Sequence, residues 1–296
     1  MRATGRGTSV GAGTIALTLL ALVAFASNSL LTRLALGTHQ LDAATFTAIR
    51  LAAGAVTLAI LTGAGARSLE PLRGAGIAGP LALFAYAAPF SFAYGRIGAA
   101  VGALVLFGVV QLTMIGYALA RGEHPTPAIW LGLVLAAGGL AALAAPSVTR
   151  PDPLGVLLMA VAGVAWAVYT LVGRTRSDPL AANARSFLWS APLAIVIAIA
   201  VHLESGSHEA TTVRGLVLAL LSGAVTSGIG YAIWYRALPR ITVTQAAVAQ
   251  LGVPVIAALG AVALLGETLG LRLVVSGAAV LAGVGLVLSA RARRTG

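Results

Sequence analysis

The sequence has 296 residues, 59% apolar and 9% charged, with a mean hydropathy of +0.97 and a formal net charge of +11, far outside the composition of soluble domains. In a soluble chain that charge would suggest nucleic acid, but here the arginines flank apolar runs and report membrane topology, so no nucleic-acid partner is expected. The absence of cysteine excludes thiolate chemistry and a Cys-ligated metal, and the absence of lysine excludes a Schiff base.

The apolar runs are about 20 residues long, enough to cross a hydrocarbon core of roughly 30 Å. Ten are expected, at residues 14–36, 43–62, 76–94, 99–120, 127–145, 154–173, 184–203, 213–235, 242–265 and 269–290. Barrel strands would be about 10 residues long with alternating polarity. These runs are twice that and apolar all round, so the fold class is an all-α membrane protein of ten transmembrane helices. Of the loop arginines, twelve fall on the side of the N-terminus and five on the other. That bias predicts a multi-pass protein of the inner (cytoplasmic) membrane with both termini cytoplasmic. A secretory signal, suggested by Arg2, Arg6 and the AFA tripeptide at Ala24 to Ala26, competes with the first span for the same residues.

Along the chain, polar and aromatic residues recur at helical spacing. The first span carries Phe25, Asn28 and Thr32 on one face, and the second carries Arg50 about two turns from its start. The third holds Tyr86, Pro89, Phe90 and Tyr94, and the fourth Gln111. The sixth repeats the first with Trp166, Tyr169, Thr170 and Gly173; the seventh holds Arg185; the eighth holds Ser227, Tyr231, Trp234 and Tyr235; the ninth holds Gln250 and Pro254. Rings interleaved with a few dipoles suit a small-molecule cavity. The candidate substrate-binding residues are therefore Asn28, Tyr86, Gln111, Trp166, Tyr169, Tyr231 and Gln250, although interfacial belts and helix packing explain the same pattern. Arg50 also has two readings: a contact for a substrate carboxylate, matched by Arg185, or a side chain that snorkels to the interface. Pro254 cannot bond the carbonyl of Gln250, which predicts a helix break with a free carbonyl beside an amide.

No Asp or Glu lies deep in a span and the four histidines are scattered. No catalytic cluster, metal site or cofactor is expected, and the chain does not read as an enzyme.

Shifting the chain by 144 residues superimposes Arg96, Ile97, Gly122 and Glu123 on Arg240, Ile241, Gly266 and Glu267. Phe25, Ala26, Leu30 and Arg33 meet Trp166, Ala167, Leu171 and Arg174 at an offset of 141. Five spans per copy is an odd number, so the second copy enters the membrane from the opposite side. Such inverted-topology repeats belong chiefly to secondary transporters. The expected boundaries are residues 1–148 for the first repeat and 149–296 for the second. Glu123 and Glu267, each before the last span of its repeat, are expected to be structural caps at helix N-termini.

The stretches AFASNSLLTRLAL, TFTAIRLAAGAV, ARGEHPTPAIWLGLVLAAGG and YAIWYRALPRITVTQAAVAQLGVPVIAALGAVALLGETL resemble the EamA-type members of the drug/metabolite transporter superfamily. The resemblance covers nearly the whole chain. It departs at Val110, which stands where the second half has Pro254. It implies a basket of helices around a central cavity and the export or exchange of small metabolites such as amino acids or related compounds. The partners are then a small-molecule substrate and the lipid bilayer; oligomeric state is not legible in the sequence. A membrane scaffold or sensor, or a membrane-embedded enzyme, is the alternative class.

Overall fold

The computed structural model describes residues 10–63, 76–97, 99–145, 151–205, 211–265 and 270–290, and those residues are helical apart from short turns and connections. The helices are α1 (Ala12–Leu36), α2 (Ala43–Leu61), α3 (Ala78–Tyr94), α4 (Ala99–Ala120), α5 (Pro127–Ala144), α6 (Pro153–Arg174) and α7 (Pro179–Ser205). They continue with α8 (Val213–Leu221), α9 (Gly230–Ala237), α10 (Val243–Ala249), α11 (Gly252–Leu265) and α12 (Leu271–Ser289). A π-helical segment, Ser222–Ile229, joins α8 to α9 into one rod.

Among the described residues, nine helical stretches are long and apolar enough to cross a membrane. The helix outside that set is α3, whose 17 residues give a rod of about 26 Å at 1.5 Å per residue. The ends are set by local chemistry. Asp42 accepts the Thr45 N–H at 2.8 Å, Asp152 that of Leu154 at 3.0 Å, and Asp178 that of Ala181 at 3.0 Å. Each supplies an acceptor to N–H groups that a helix start leaves open.

Burial runs opposite to that of a soluble protein. Leu112, Val134 and Val196 on the outer faces are 78%, 65% and 64% exposed, whereas Asn28, Arg50, Gln111, Ser227 and Gln250 are buried. An apolar periphery with polar groups turned inward is what lipid as solvent demands. A close approach joins α5 and α12, where a Cβ on Gly283 would lie 2.4 Å from the Gly132 carbonyl oxygen and one on Gly139 2.8 Å from that of Ser276. Without side chains at these positions the two backbones touch, the usual solution for helices packing in lipid.

The expected break in the ninth span is present between α10 and α11, but the carbonyl of Gln250 is not free. It accepts the Val253 N–H at 3.1 Å in a tight turn, so the acceptor that Pro254 cannot serve is taken one residue earlier. With Val110 in place of a proline, α4 runs unbroken. α1 passes straight through Ala24 to Ala26, with Ala26 1% exposed.

Candidate functional site

Where α1, α3, α4, α6, α9 and the α10–α11 turn converge, a small cavity is walled by Phe25, Asn28, Ser29, Tyr86, Phe90, Phe107, Trp166, Tyr231, Gln250 and Val253. Its volume is about 20 Å³, room for roughly one water. Five of the seven residues singled out from the sequence, Asn28, Tyr86, Trp166, Tyr231 and Gln250, meet here. The helical period that put them on inward faces is the reason they converge. The rings form one network. Phe25 lies edge-on to Trp166 at 5.3 Å and to Tyr231 at 5.5 Å between centroids, and Trp166 lies 4.8 Å from Tyr86 and 5.1 Å from Tyr231. Such pairs stabilise by about 0.5–1.5 kcal/mol each beyond burial.

The remaining two frame the cavity. Gln111 donates to the Ala247 carbonyl at 2.6 Å, bracing α10 just before its break. Tyr169 faces the other end of the bundle, where it donates to Asn183 and its own carbonyl accepts the Tyr235 hydroxyl at 3.0 Å.

Arg50 does not snorkel: it is 1% exposed. Its Nε donates to Ser227 Oγ at 3.0 Å, and one Nη donates to the Tyr231 hydroxyl at 2.9 Å and, more weakly, to that of Tyr86 at 3.4 Å. The guanidinium also lies over the rings of Tyr86 and Phe90, 5.4 and 5.8 Å from their centroids. The other Nη is buried without a partner, and no carboxylate reaches Arg50 among the described residues. Arg50 therefore stands directly behind two residues of the cavity wall. Arg185 is only partly buried and borders a separate small cavity with Tyr169, Gly173, Asn183 and Tyr235.

Other side chains lock the wall. Trp166 donates its indole N–H to Gln250 Oε1, while Gln250 Nε2 donates to the Ala246 carbonyl at 3.0 Å and lies 3.6 Å from the sulfur of Met114. The two residues read as separate substrate contacts thus bond to each other. Asn28 Oδ1 accepts from Ser222 at 2.7 Å and Thr226 at 3.3 Å, both on the π-helical segment. Those hydroxyls escaped sequence reasoning, because small polar residues in a Gly-rich stretch look like ordinary packing.

The two end cavities among the described residues differ in size. A cavity of about 220 Å³, lined by Arg33, Tyr94, Ala100, Leu143 and Ala258 among others, shares Ser29, Phe107 and Val253 with the central one. At the opposite end the cavity beside Tyr169 is about 20 Å³. There the Tyr235 ring fills the space over Gly173, where a Cβ would come within 1.7 Å of it.

Glu123 is a cap, but not for the helix it precedes. It accepts from the backbone N–H groups of Val243 (3.0 Å) and Thr244 (3.2 Å) and from the Thr244 hydroxyl (2.8 Å), at the start of α10. The N-cap of α5 is Thr126, which makes no side-chain cap bond. Gly122, at φ 77°, turns the chain so that the carboxylate reaches across. Glu267 lies outside the described residues.

A multi-helix membrane fold around an aromatic and polar centre defines a class, and comparison with known proteins specifies it. Residues 153–289 match the EamA-like transporter family. An uncharacterized protein of Pseudomonas aeruginosa is 48% identical over 281 residues, covering 95% of this chain and 96% of that one. An uncharacterized transporter of Archaeoglobus fulgidus is 27% identical over 199 residues, covering 66% and 70%. A crystal structure with 20% sequence identity superimposes with a TM-score of 0.78 over 97% of this chain and 100% of that one, a likeness of fold alone. The second half of the chain is an EamA-like transporter domain, and with the likeness to a transporter this makes the chain a member of the drug/metabolite transporter superfamily. It is a multi-span membrane protein of a family whose members are transporters rather than enzymes.

Proposed function

We propose that the protein is a secondary transporter that exports small metabolites, such as amino acids or related compounds, across the cytoplasmic membrane. It does so by alternating access between two inverted five-span repeats, residues 1–148 and 149–296, with both termini cytoplasmic. Ten spans follow if α3 crosses with the rest, and the repeat pairs α1 with α6, α2 with α7, α3 with the α8–α9 rod, α4 with α10–α11, and α5 with α12.

The observation that carries this reading is the packing pattern, which survives that exchange of partners. α3 packs on α6 and α1 on the α8–α9 rod; α4 packs on α6 and α1 on α11; α3 packs on α7 and α2 on the rod. The contacts of α2 with α7, α4 with α10 and α5 with α12 each map onto themselves. A two-fold axis in the membrane plane through the central cavity accounts for all of them. The cavity draws its wall from both halves, and of the two end cavities described the one beside Arg33 and Tyr94 is the wider, as alternating access expects of a single state. In the proposed orientation that end faces outward.

The substrate site in this reading is the wall formed by Asn28, Tyr86, Trp166, Tyr231 and Gln250, framed by Gln111 and Tyr169, with Arg50 as its charge. No carboxylate lines the cavity among the described residues, which favours exchange or facilitated movement over proton coupling. The test is flux in liposomes preloaded with a broad metabolite panel, alongside extracellular metabolite pools of cells with and without the protein. A panel that includes amino acids and related compounds and shows no protein-dependent flux would refute transport. Accumulation that strictly follows an imposed proton gradient would refute the coupling assignment.

A further inference from the structure

We infer that the central cavity is a carboxylate site, selective for organic acids that carry an apolar body and no neighbouring ammonium group, and that Arg50 creates this selectivity by acting through the hydroxyls of Tyr86 and Tyr231. The inference rests on the transport-site reading above and narrows its small metabolites to organic acids, setting aside the amino acids, whose ammonium group this site opposes.

The argument starts from the charge. A guanidinium that is 1% exposed, with no carboxylate in reach among the described residues and one nitrogen unpartnered, is costly unless something compensates it. Ser227 and the two tyrosines offer neutral oxygens, which satisfy hydrogen bonds but leave the charge intact. The cavity in front of those tyrosines is therefore positive.

The second step is the direction of the hydrogen bonds. Tyr86 and Tyr231 accept from Arg50 through their phenolic oxygens. Each keeps its own proton; the two hydroxyls also pair with each other, so one proton is shared between them and the other is left for the cavity. A phenol that accepts from a cation is also a stronger donor than a free one. Asn28 is turned the same way: its oxygen is occupied by Ser222 and Thr226, which leaves its two amide N–H groups for the cavity it lines. The acceptor that Gln250 would offer is held by Trp166. The polar wall thus presents donors backed by a cation.

The remaining wall is Ser29 with Phe25, Phe90, Phe107, Trp166 and Val253; the centre, about 20 Å³, holds the carboxylate alone, and an apolar body extends past Phe107 and Val253 into the adjoining cavity of about 220 Å³. An ammonium group would find no carboxylate here among the described residues, only hydroxyl oxygens such as that of Ser29, and would face Arg50 at close range. A carboxylate fits the donors, an amine opposes the charge, and a neutral amide gains only part of the interaction.

The test uses phenylacetate, phenylacetamide and phenylalanine with purified full-length protein in detergent, read by ligand-induced thermal stabilisation and tryptophan fluorescence. Phenylacetate is expected to bind at least tenfold more tightly than either of the others. Tyr86→Phe and Tyr231→Phe, which keep the rings, are each expected to weaken phenylacetate binding about tenfold, as loss of a hydrogen bond to a charged group implies. Arg50→Lys should retain the preference for acid over amide and Arg50→Gln should lose it, a selectivity change that a merely structural arginine would not produce. Should Arg50→Gln fail to fold, the two tyrosine variants decide alone. Equal binding of phenylacetamide or phenylalanine, wild-type affinity for phenylacetate in both tyrosine variants, or no phenylacetate binding would overturn the inference. Flux in liposomes separates the two readings: phenylacetate bound but not moved refutes transport and leaves the carboxylate site standing. Flux of neutral or amino compounds without phenylacetate binding does the reverse.

Discussion

Removing the Glu123 carboxylate should destabilise the fold at a helix that lies 120 residues further along the chain. Glu123 holds the first two N–H groups of α10 and the Thr244 hydroxyl. Val243 and Thr244 are only 6% and 2% exposed, so water reaches their N–H groups poorly once the acceptor is gone. An unsatisfied buried donor costs about 1–3 kcal/mol, and an anion at a helix N-terminus contributes about 0.3–1 kcal/mol more. Glu123 itself is half-buried, so some solvent enters in its place, and the capping box of Thr242 with Gln245 still serves other groups at this end. Taking the low end for each of two donors, Glu123→Ala should cost about 2–3 kcal/mol. Glu123→Gln keeps one acceptor oxygen and should cost about 1 kcal/mol. The assay is reversible unfolding of the purified protein in mixed micelles under rising denaturing detergent, followed by circular dichroism. A Glu123→Ala protein within about 0.5 kcal/mol of wild type, the range of an ordinary surface change, would refute the account of this contact.

Gly283→Ala would drive a Cβ to 2.4 Å from the Gly132 carbonyl oxygen and should destabilise by about 1–3 kcal/mol. Gly285→Ala, two residues away with open space around it, should be neutral in the same detergent unfolding experiment. Gly173→Ala displaces the Tyr235 ring and breaks its bond to the Tyr169 carbonyl. Because the chain has no native cysteine, a single cysteine at Ala182 in the adjoining cavity should label faster with maleimide in that background, and unchanged labelling would count against Tyr235 as the closing group. The Arg96 guanidinium at 2.9 Å, followed by the Leu154 N–H, holds the Asp152 carboxyl below its ordinary value of 3.8. A lowered folded value means that this stabilisation is complete above that pH and is lost as pH falls through the folded value. The stability difference between wild type and Asp152→Asn should therefore be constant from neutral pH to about 4 and shrink below it; a difference that grows on acidification would contradict the assignment.

What could be read from the sequence is what depends on neighbours along the chain. The aspartates at 42, 152 and 178 each accept an N–H two or three residues on, at the start of the helix that follows, which is a local pattern of this kind. The inward faces of Asn28, Tyr86, Trp166 and Tyr231 follow from the helical period. Arg50 could not be decided in this way. Two turns from a helix end, an arginine reaches the interface or turns inward at similar cost, and the group that draws it inward, Ser227, is 177 residues away. Glu123 misled for a related reason: its spacing before α5 imitates a local cap, while its acceptor role is set by Gly122 and by where α10 happens to start. The free carbonyl expected at Gln250 failed because a proline removes one donor but leaves the chain able to tighten and supply another.

The same contrast bears on how the site came to be built. Trp166 and Gln250, together with Gln111, bond from the aromatic wall to the last turn of α10, the broken helix, and Glu123 holds the start of that helix from the α4–α5 turn. Arg50, Ser227, Asn28, Ser222 and Thr226 form a second chain that ties α1 and α2 to the π-helical segment. An irregular helix beside a cavity exposes backbone that lipid cannot satisfy, so it persists only where side chains hold it. Each irregular element is therefore fastened to a cavity residue contributed by other helices. A ligand that takes the Tyr86, Tyr231 or Asn28 donors bears on these fastenings directly. That is the physical route by which occupancy at the centre could shift helices against one another, and it requires a differential contact between states rather than a distant signal.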